Sequence, residues 1–287
     1  MSGASTQAPF TVACVQLTSG AEPADNIAAA SRLIREAKAA GAALILTPET
    51  TDMMQPRRRL AFEAAREEPV HEGLAALRAL AAELAVWLLA GSLVVRLSEE
   101  RLANRSFLIG PDGALTARYD KIHMFDVEIP DGQSYRESKA YRPGEQAVLA
   151  ELPWGRVGLT VCYDLRFPAL YRDLAQAGAD FLTVPSAFTR FTGQAHWHVL
   201  LRARAIETGC FVFAPAQCGE HAGGRETYGH SLIIGPWGEI LAEGGEAPGI
   251  ITARIDPAEV AKARAMVPSL QHDRPFRSAT PLRQAGE

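Results

Sequence analysis

Short apolar runs alternate along this chain with longer stretches in which apolar side chains return every three or four residues. Residues 10–17, Phe-Thr-Val-Ala-Cys-Val-Gln-Leu, predict a strand, and 42–46, Ala-Ala-Leu-Ile-Leu, predict a central buried one. Between them a helix is predicted over 25–40, with Asp25 as its N-cap and Gly41 as its stop. Its inward face would be Ile27, Ala30, Ile34 and Ala37, flanked by Leu33. A second helix near 72–84 would turn Leu74, Leu77, Ala81 and Leu84 to one side. Strands follow over 86–95 and 104–109, and a turn at Pro111-Asp112-Gly113 leads into the second half of a hairpin at 114–119.

The second half repeats the style without repeating the sequence. Strands are expected over 157–162, 180–184, 210–214, 230–234 and 250–255, with turns at Pro236-Trp237-Gly238 and Gly244-Gly245. Helices are expected over 168–177 and 196–208, the latter with Val199, Ala203 and Ile206 inward. Two sheets flanked by helices would bury all of these faces, which makes the chain an α/β protein. No repeat, low-complexity tract or Gly/Ser/Pro linker divides it, so a single domain over 10–266 is expected. A small, polar and flexible terminus (1–9) precedes it. The tail (267–287), polar with scattered prolines, either crosses to a partner subunit or is loose.

Three polar residues stand just past strand ends. The run 157–162 finishes at Cys162 and turns at once into Tyr163-Asp164-Leu165-Arg166-Phe167-Pro168, polar sequence with a helix start. A thiol there occupies the place where open α/β sheets build their sites, and the N–H groups that follow can face an oxyanion. Glu49 follows Thr47-Pro48, and because proline halts the ladder it should project from the end of its strand. Lys121, in Tyr119-Asp120-Lys121-Ile122-His123, lies just beyond the hairpin. Taken singly, these are a core thiol and two surface charges; taken as a set, they point to a site.

Pro48-Glu49, Lys121-Ile122-His123 and the stretch from Val161 to Pro168 resemble, in order and spacing, the three signature regions of the nitrilase superfamily of carbon–nitrogen hydrolases. The similarity runs from Thr11 to Asp256. The resemblance implies a four-layer α-β-β-α sandwich, no cofactor or metal, a small-molecule amide as substrate, and a homodimer or larger homo-oligomer. It implies Cys162 as nucleophile and Glu49 as general base. Lys121 and the Tyr163 backbone N–H would stabilise the oxyanion, and Glu137, in Tyr135-Arg136-Glu137-Ser138, would hold Lys121. The residues alone leave a pairing of Cys162 with a histidine open; the resemblance favours Glu49.

Composition narrows the field by exclusion. The 287 residues are 47% hydrophobic, enough for a substantial core. A net charge of −4 without a basic stripe argues against nucleic acid, and Arg57-Arg58-Arg59 is an isolated cluster that fits a solvated helix start. No apolar stretch approaches the roughly 20 residues of a membrane span, and the terminus lacks a secretory signal. Cys14, Cys162, Cys210 and Cys218 form no CxxC pair, which fits a reducing cytoplasm. His196-Trp197-His198 and His221 with His230 raise a metal site, but adjacent residues point different ways and no glutamate stands at the helical spacing. Residues 219–224 lack the features of a phosphate loop and are expected to form a mobile loop.

The substrate is addressed by the sequence around the three signatures. Residues 185–189, 192–197 and 201–207, with Ala216-Gln217, Tyr228-Gly229-His230-Ser231 and Pro236-Trp237-Gly238, resemble the branch of deaminated glutathione amidases. That branch cleaves glutathione that has lost its γ-glutamyl amino group to 2-oxoglutarate and cysteinylglycine. Such a pocket needs cations for carboxylates: Arg166 first, then Arg136, Arg190 and Arg225. Phe188, Thr189 and His196 are the other expected substrate contacts. An ω-amidase acting on 2-oxoglutaramate is the nearest alternative, followed by an N-carbamoyl amine hydrolase and a nitrilase. A non-catalytic ligand-binding protein on the same fold has no need of Glu49, Lys121 and Cys162 together.

Overall fold

In the computed structural model, which describes residues 8–128 and 134–278, the alternating runs become two six-stranded sheets stacked face to face with helices outside. The first half gives β1 (Phe10–Gln16), α1 (Pro23–Ala39), β2 (Leu44–Leu46), α2 (Arg58–Ala64), α3 (Glu72–Leu84), β3 (Trp87–Arg96), β4 (Leu102–Ile109), β5 (Leu115–Asp120), β6 (Asp126–Glu128) and β7 (Ser134–Arg136). The second gives β8 (Val148–Leu152), β9 (Gly155–Leu159), α4 (Pro168–Gln176), β10 (Phe181–Thr183), α5 (Arg190–Thr208) and β11 (Phe211–Ala214). Then come β12 (Cys218–Glu220), β13 (Glu226–Tyr228), β14 (Leu232–Ile234), β15 (Ile240–Glu243), β16 (Gly249–Ile255) and α6 (Ala258–Met266).

The sheets run β16-β1-β2-β3-β4-β5 and β15-β14-β11-β10-β9-β8. Both follow one scheme. Three parallel strands, β1-β2-β3 or β9-β10-β11, carry one antiparallel neighbour on one side and two on the other. Strand alternation then divides the side chains between two cores. Val12, Cys14, Leu44, Leu46, Leu89 and Leu108 join the core that holds Val157, Leu159, Phe181 and Phe213 of the other sheet. Ala13, Val15, Ile45, Leu88 and Phe107 face Ile27, Ile34, Leu74 and Leu77 of α1 and α3. Covered on both faces, the central strand β2 is wholly apolar, and the result is the four-layer α-β-β-α sandwich.

Several boundaries differ from expectation for local reasons. Pro23 takes the first turn of α1, where its missing N–H costs nothing, so Asp25 lies inside the helix and Glu22, which makes no side-chain cap bond, precedes it. On α3, Leu80 is buried while Leu84 is only half-buried. Helix α5 starts at Arg190, well before the predicted start, with Gly193 pressed on Tyr228. Its buried face is Trp197, Leu201, Arg204, Ala205 and Thr208, not Val199, Ala203 and Ile206. Arg204 can turn inward because its Nε and Nη2 donate to Leu165 O at 3.1 and 2.8 Å and Nη1 pairs with Glu207 at 2.8 Å. Val199 and Ile206 are left 68% and 56% exposed. Residues 219–224 belong to the β12–β13 hairpin and the turn between its strands. The part of the tail that is described returns to its own chain, where Arg172 and Gln176 of α4 both donate to Asp273. Residues 1–7, 129–133 and 279–287 lie outside the described residues.

The register of β3 on β4 breaks between Ala90 and Leu93, and this bulge grips the segment after β2. Ser92 N donates to Pro48 O (3.2 Å), Ser92 O accepts from Thr51 N (2.9 Å), and Ser92 Oγ accepts from Thr50 N (2.8 Å). Gly91 is required here by close approach: a Cβ would lie 1.9 Å from Thr47 O and 2.5 Å from Pro185 Cβ. Gly91→Ala is therefore expected to cost about 1–3 kcal/mol in denaturant melts through overpacking. Gly245→Ala, where an added Cβ meets nothing within 4 Å, should stay within about 0.5 kcal/mol. Equal effects would contradict this account of the bulge.

Candidate active site

The chain leaves the carboxyl ends of β2, β5, β9 and β10 towards one cavity of about 390 Å³. Glu49, Lys121, Glu137 and Cys162 all line it. Lys121 is 2% and Glu49 4% exposed. Lys121 Nζ lies 2.9 Å from Glu49 Oε1 and 2.8 and 3.1 Å from the two oxygens of Glu137. Asn104 Nδ2 donates to both acids, at 2.9 Å to Glu49 and 3.1 Å to Glu137. Backbone donors complete the frame: Ala187 N to Glu49 Oε2 at 2.8 Å, and Phe125 N to Glu137 Oε2 at 2.7 Å.

Cys162 opens a 3-10 turn, Cys162–Arg166, with a φ of 49°. Its N–H is spent on Pro185 O at 3.0 Å, and Tyr163 follows in the first turn, where N–H groups have no acceptor within the helix. Thr50, beside Glu49, also has a φ of 49°. Left-handed backbone at non-glycine residues is strained, and here it falls at Cys162 itself and next to Glu49. The turn is pinned by buried Asp164. That carboxylate accepts from Val161 N (2.8 Å), Tyr119 Oη (2.7 Å) and His123 N (3.0 Å), and lies 2.7 Å from His123 Nδ1. One side chain thus ties the cysteine turn to both sides of Lys121.

A family model for carbon–nitrogen hydrolases matches residues 11–265. The chain belongs to the carbon–nitrogen hydrolase family. It is 40% identical to a deaminated glutathione amidase of Yersinia enterocolitica, over 94% of this chain and 95% of that protein. It is 34% identical to a human omega-amidase, over 92% and 95%. Among solved structures, C. elegans NitFhit superposes with a TM-score of 0.88 at 35% identity, over 94% of this chain; the chain spans 66% of NitFhit's length. A variant of the amidase from Nesterenkonia sp. AN1, with the acetamide moiety of fluoroacetamide added covalently at its active-site cysteine, gives 0.78 at 27% identity, over 92% and 94%.

The other residues singled out in this carbon–nitrogen hydrolase fall on both sides of the cavity wall. Phe188 and Thr189 line the cavity, as do Arg136 and Arg225. Arg166 and His196, expected against substrate, are not on the lining. They meet one another, with both Nη atoms of Arg166 3.3 Å from His196 Nδ1, and the guanidinium lies over the rings of Phe188 (5.2 Å) and Tyr163 (5.9 Å). Arg190 is paired with Glu246 at 3.7 Å. Arg225 is different. It gives Nη2 to Ala187 O at 2.6 Å and sits 5.3 Å over Tyr135, while its buried Nε has no hydrogen-bond partner among the described residues. Asn104 was not anticipated, although an asparagine within an apolar strand was the available signal.

The electrostatics follow from burial and charge pairing. Burial pushes the Glu49 carboxyl up, but the Lys121 ammonium, with hydrogen bonds from Lys121 and Cys162, overcomes this and holds it below its ordinary range. Burial pushes Cys162 up, and the Glu49 charge pushes it further, against the pull of Lys121. Lys121 would be pushed down by burial, but Glu137 and Glu49 carry it well above the usual lysine range. The resting pair is therefore a thiol beside a carboxylate, the protonation states needed for general-base activation. Among the described residues, no histidine lines the cavity. For the pH dependence, a lowered acid stays ionised as pH falls and a raised thiol stays protonated as pH rises. kcat/KM is expected to hold flat from about pH 5 to about pH 8, with its acid limb below the ordinary glutamate value near 4.3. A limb near 6.5, in the histidine range, would contradict this pairing.

Proposed function

We propose that this carbon–nitrogen hydrolase is a thiol amidase that cleaves deaminated glutathione to 2-oxoglutarate and cysteinylglycine. Glu49, Lys121 and Cys162 meeting on one cavity wall, with Lys121 2.9 Å from the Glu49 carboxylate, is the observation that carries the chemistry. Glu49 takes the thiol proton as sulfur bonds to the amide carbon, and the carbonyl electrons move onto oxygen. Lys121 and the Tyr163 N–H face that oxyanion; removing one such donor typically costs about 3 kcal/mol of barrier. Collapse breaks the C–N bond, and Glu49 gives its proton to the departing amine. Water then attacks the thioester with Glu49 again as base, the C–S bond breaks, and the thiol regains its proton. Glu137 touches no reacting atom in this scheme; it holds Lys121 in place and balances its charge.

The substrate reading is supported by the Yersinia relative and by an arginine on the cavity wall. The acyl half of deaminated glutathione ends in an α-keto acid, and Arg225 offers a guanidinium with an unpaired buried Nε on the cavity wall. In this reading Arg225, which lines the cavity where Arg166 does not, replaces Arg166 as the preferred carboxylate partner. An ω-amidase would bind the same acyl half and release ammonia from 2-oxoglutaramate, so the leaving group separates the two readings. All four cysteines are free and buried, which supports a reducing compartment, with the cytoplasm as the proposed location. Exposed Val199 and Ile206 share a face of α5, and Ile206 abuts the turn bearing exposed Trp237; this apolar strip supports a homo-oligomer.

Purified enzyme is expected to release 2-oxoglutarate from deaminated glutathione faster than from 2-oxoglutaramate, and Cys162→Ala to abolish both. The reverse preference would make it an ω-amidase. Arg225→Gln should raise KM for either α-keto acid substrate about 10- to 100-fold, the worth of one charged hydrogen bond, and leave a neutral short amide unaffected. Equal loss on both would remove Arg225 from acyl-half recognition. Sedimentation velocity should give a dimer or larger species that Ile206→Asp dissociates; a monomeric wild-type chain would contradict the oligomer.

A further inference from the structure

Outside the cavity, three metal-ligating side chains from separate segments converge. His198 lies on α5, His230 just before β14, and Glu243 at the end of β15. Both imidazoles address the same oxygen: His198 Nε2 and His230 Nδ1 are each 3.0 Å from Glu243 Oε1. The three ligand atoms all lie within 4.8 Å of one another. None of the three residues lines the cavity or takes part in the proposed amide chemistry.

The protein holds this arrangement at some cost. His230 has a φ of 52°, a left-handed conformation that a side chain disfavours. It is locked there by Trp197 Nε1 donating to its carbonyl at 2.7 Å, by its own N–H donating to Gly245 O at 3.0 Å, and by Tyr228 stacked on its ring at 4.4 Å. His198 is brought alongside on α5, its ring 5.7 Å from that of His230.

The geometry points to a binding site for a divalent transition-metal ion of the zinc class, held by His198 Nε2, His230 Nδ1 and a Glu243 oxygen. Two imidazole nitrogens and one carboxylate suit zinc, cobalt or nickel rather than magnesium or calcium, which take all-oxygen shells. Bonds of about 2.0–2.1 Å in a tetrahedron require ligand atoms about 3.3 Å apart. The two 3.0 Å separations are close to that edge, and the third, between the two imidazole nitrogens, is within 4.8 Å. Side-chain exposures of 29%, 21% and 39% leave the fourth position to water. In the metal-free form the two nitrogens share their protons with Glu243; on binding they turn lone pairs to the ion, and each neutral ring carries its proton on the other nitrogen. The ion would staple α5 to the segment after Tyr228, whose N–H donates to Phe188 O at 2.9 Å in the cavity wall.

The test is titration of chelator-stripped Cys162→Ser protein with Zn²⁺ alone by calorimetry and with Co²⁺ alone by visible absorption. Cys162→Ser removes the thiol in the cavity as a competing ligand. One equivalent should bind, with tetrahedral cobalt bands. His198→Ala and Glu243→Gln should each weaken binding at least ~10-fold. Glu243→Gln keeps hydrogen-bonding capacity towards both rings, so an unchanged metal-free melting temperature shows that the variant folds. In the parent, Zn²⁺ should raise the melting temperature, and in Glu243→Gln it should not. Absence of a stoichiometric site, or binding indifferent to both substitutions, would overturn the proposal and leave the three residues as a hydrogen-bonded cluster.

Discussion

An ammonium group sealed from water tends to lose its proton, because an uncompensated charge is expensive in a low-dielectric interior. Lys121 stays charged because two carboxylates meet it, Glu49 at 2.9 Å and Glu137 at 2.8 Å. Each partner is in turn held by others. Asn104 bridges the two acids, Ala187 N fixes the far oxygen of Glu49, and Phe125 N fixes Glu137. A buried ion pair gains its worth only when its remaining hydrogen-bonding positions are filled, and this one fills them from three separate parts of the chain. The same ammonium holds Glu49 ionised, which in the proposed mechanism gives Cys162 its base.

The fold supplies this arrangement by repeating one sheet scheme twice. The ends of β2 and β10, the middle strands of the two parallel trios, deliver Glu49 and the Ala187 N–H to each other across the interface between sheets. The bulge at Gly91-Ser92 and the carboxylate of Asp164 then set the final directions. Strained backbone at Thr50 and Cys162, of a kind that costs about 1–3 kcal/mol per residue, is tolerated because these contacts over-determine it. Rigidity of this kind suits a reaction whose charges must be met by dipoles already in place.

Much of this was legible in the sequence where chemistry sits next to a strand signal. Pro48 before Glu49, the thiol at the end of an apolar run, and the lysine after a hairpin each mark a strand end. The two-sided burial of β2 was likewise visible in its unbroken apolar run. The orientation of α5 was not, because hydrophobicity argued the wrong way: Val199 and Ile206 are apolar yet exposed, while Arg204 is buried through its bonds to Leu165 O. Periodicity cannot anticipate a charged side chain whose partners lie far along the chain. Arg225 and Arg166 show the same limit. Arg166 lies within a signature segment and Arg225 far from all three, yet the turn of the hairpin β12–β13 brings Arg225 and not Arg166 to the cavity. Glu243 stands beyond helical spacing from His198, so its approach to two histidines depends on how β14 and β15 pair.

In the proposed mechanism Cys162 rests as a thiol and is activated by Glu49 only when substrate arrives. The direct measurement is the ultraviolet thiolate absorbance of the wild-type protein minus that of Cys162→Ser as pH is varied. The account predicts no thiolate step for Cys162 from about pH 5 to about pH 8, above the range typical of activated thiols. A step within that interval would show a preformed thiolate and contradict the role assigned to Glu49.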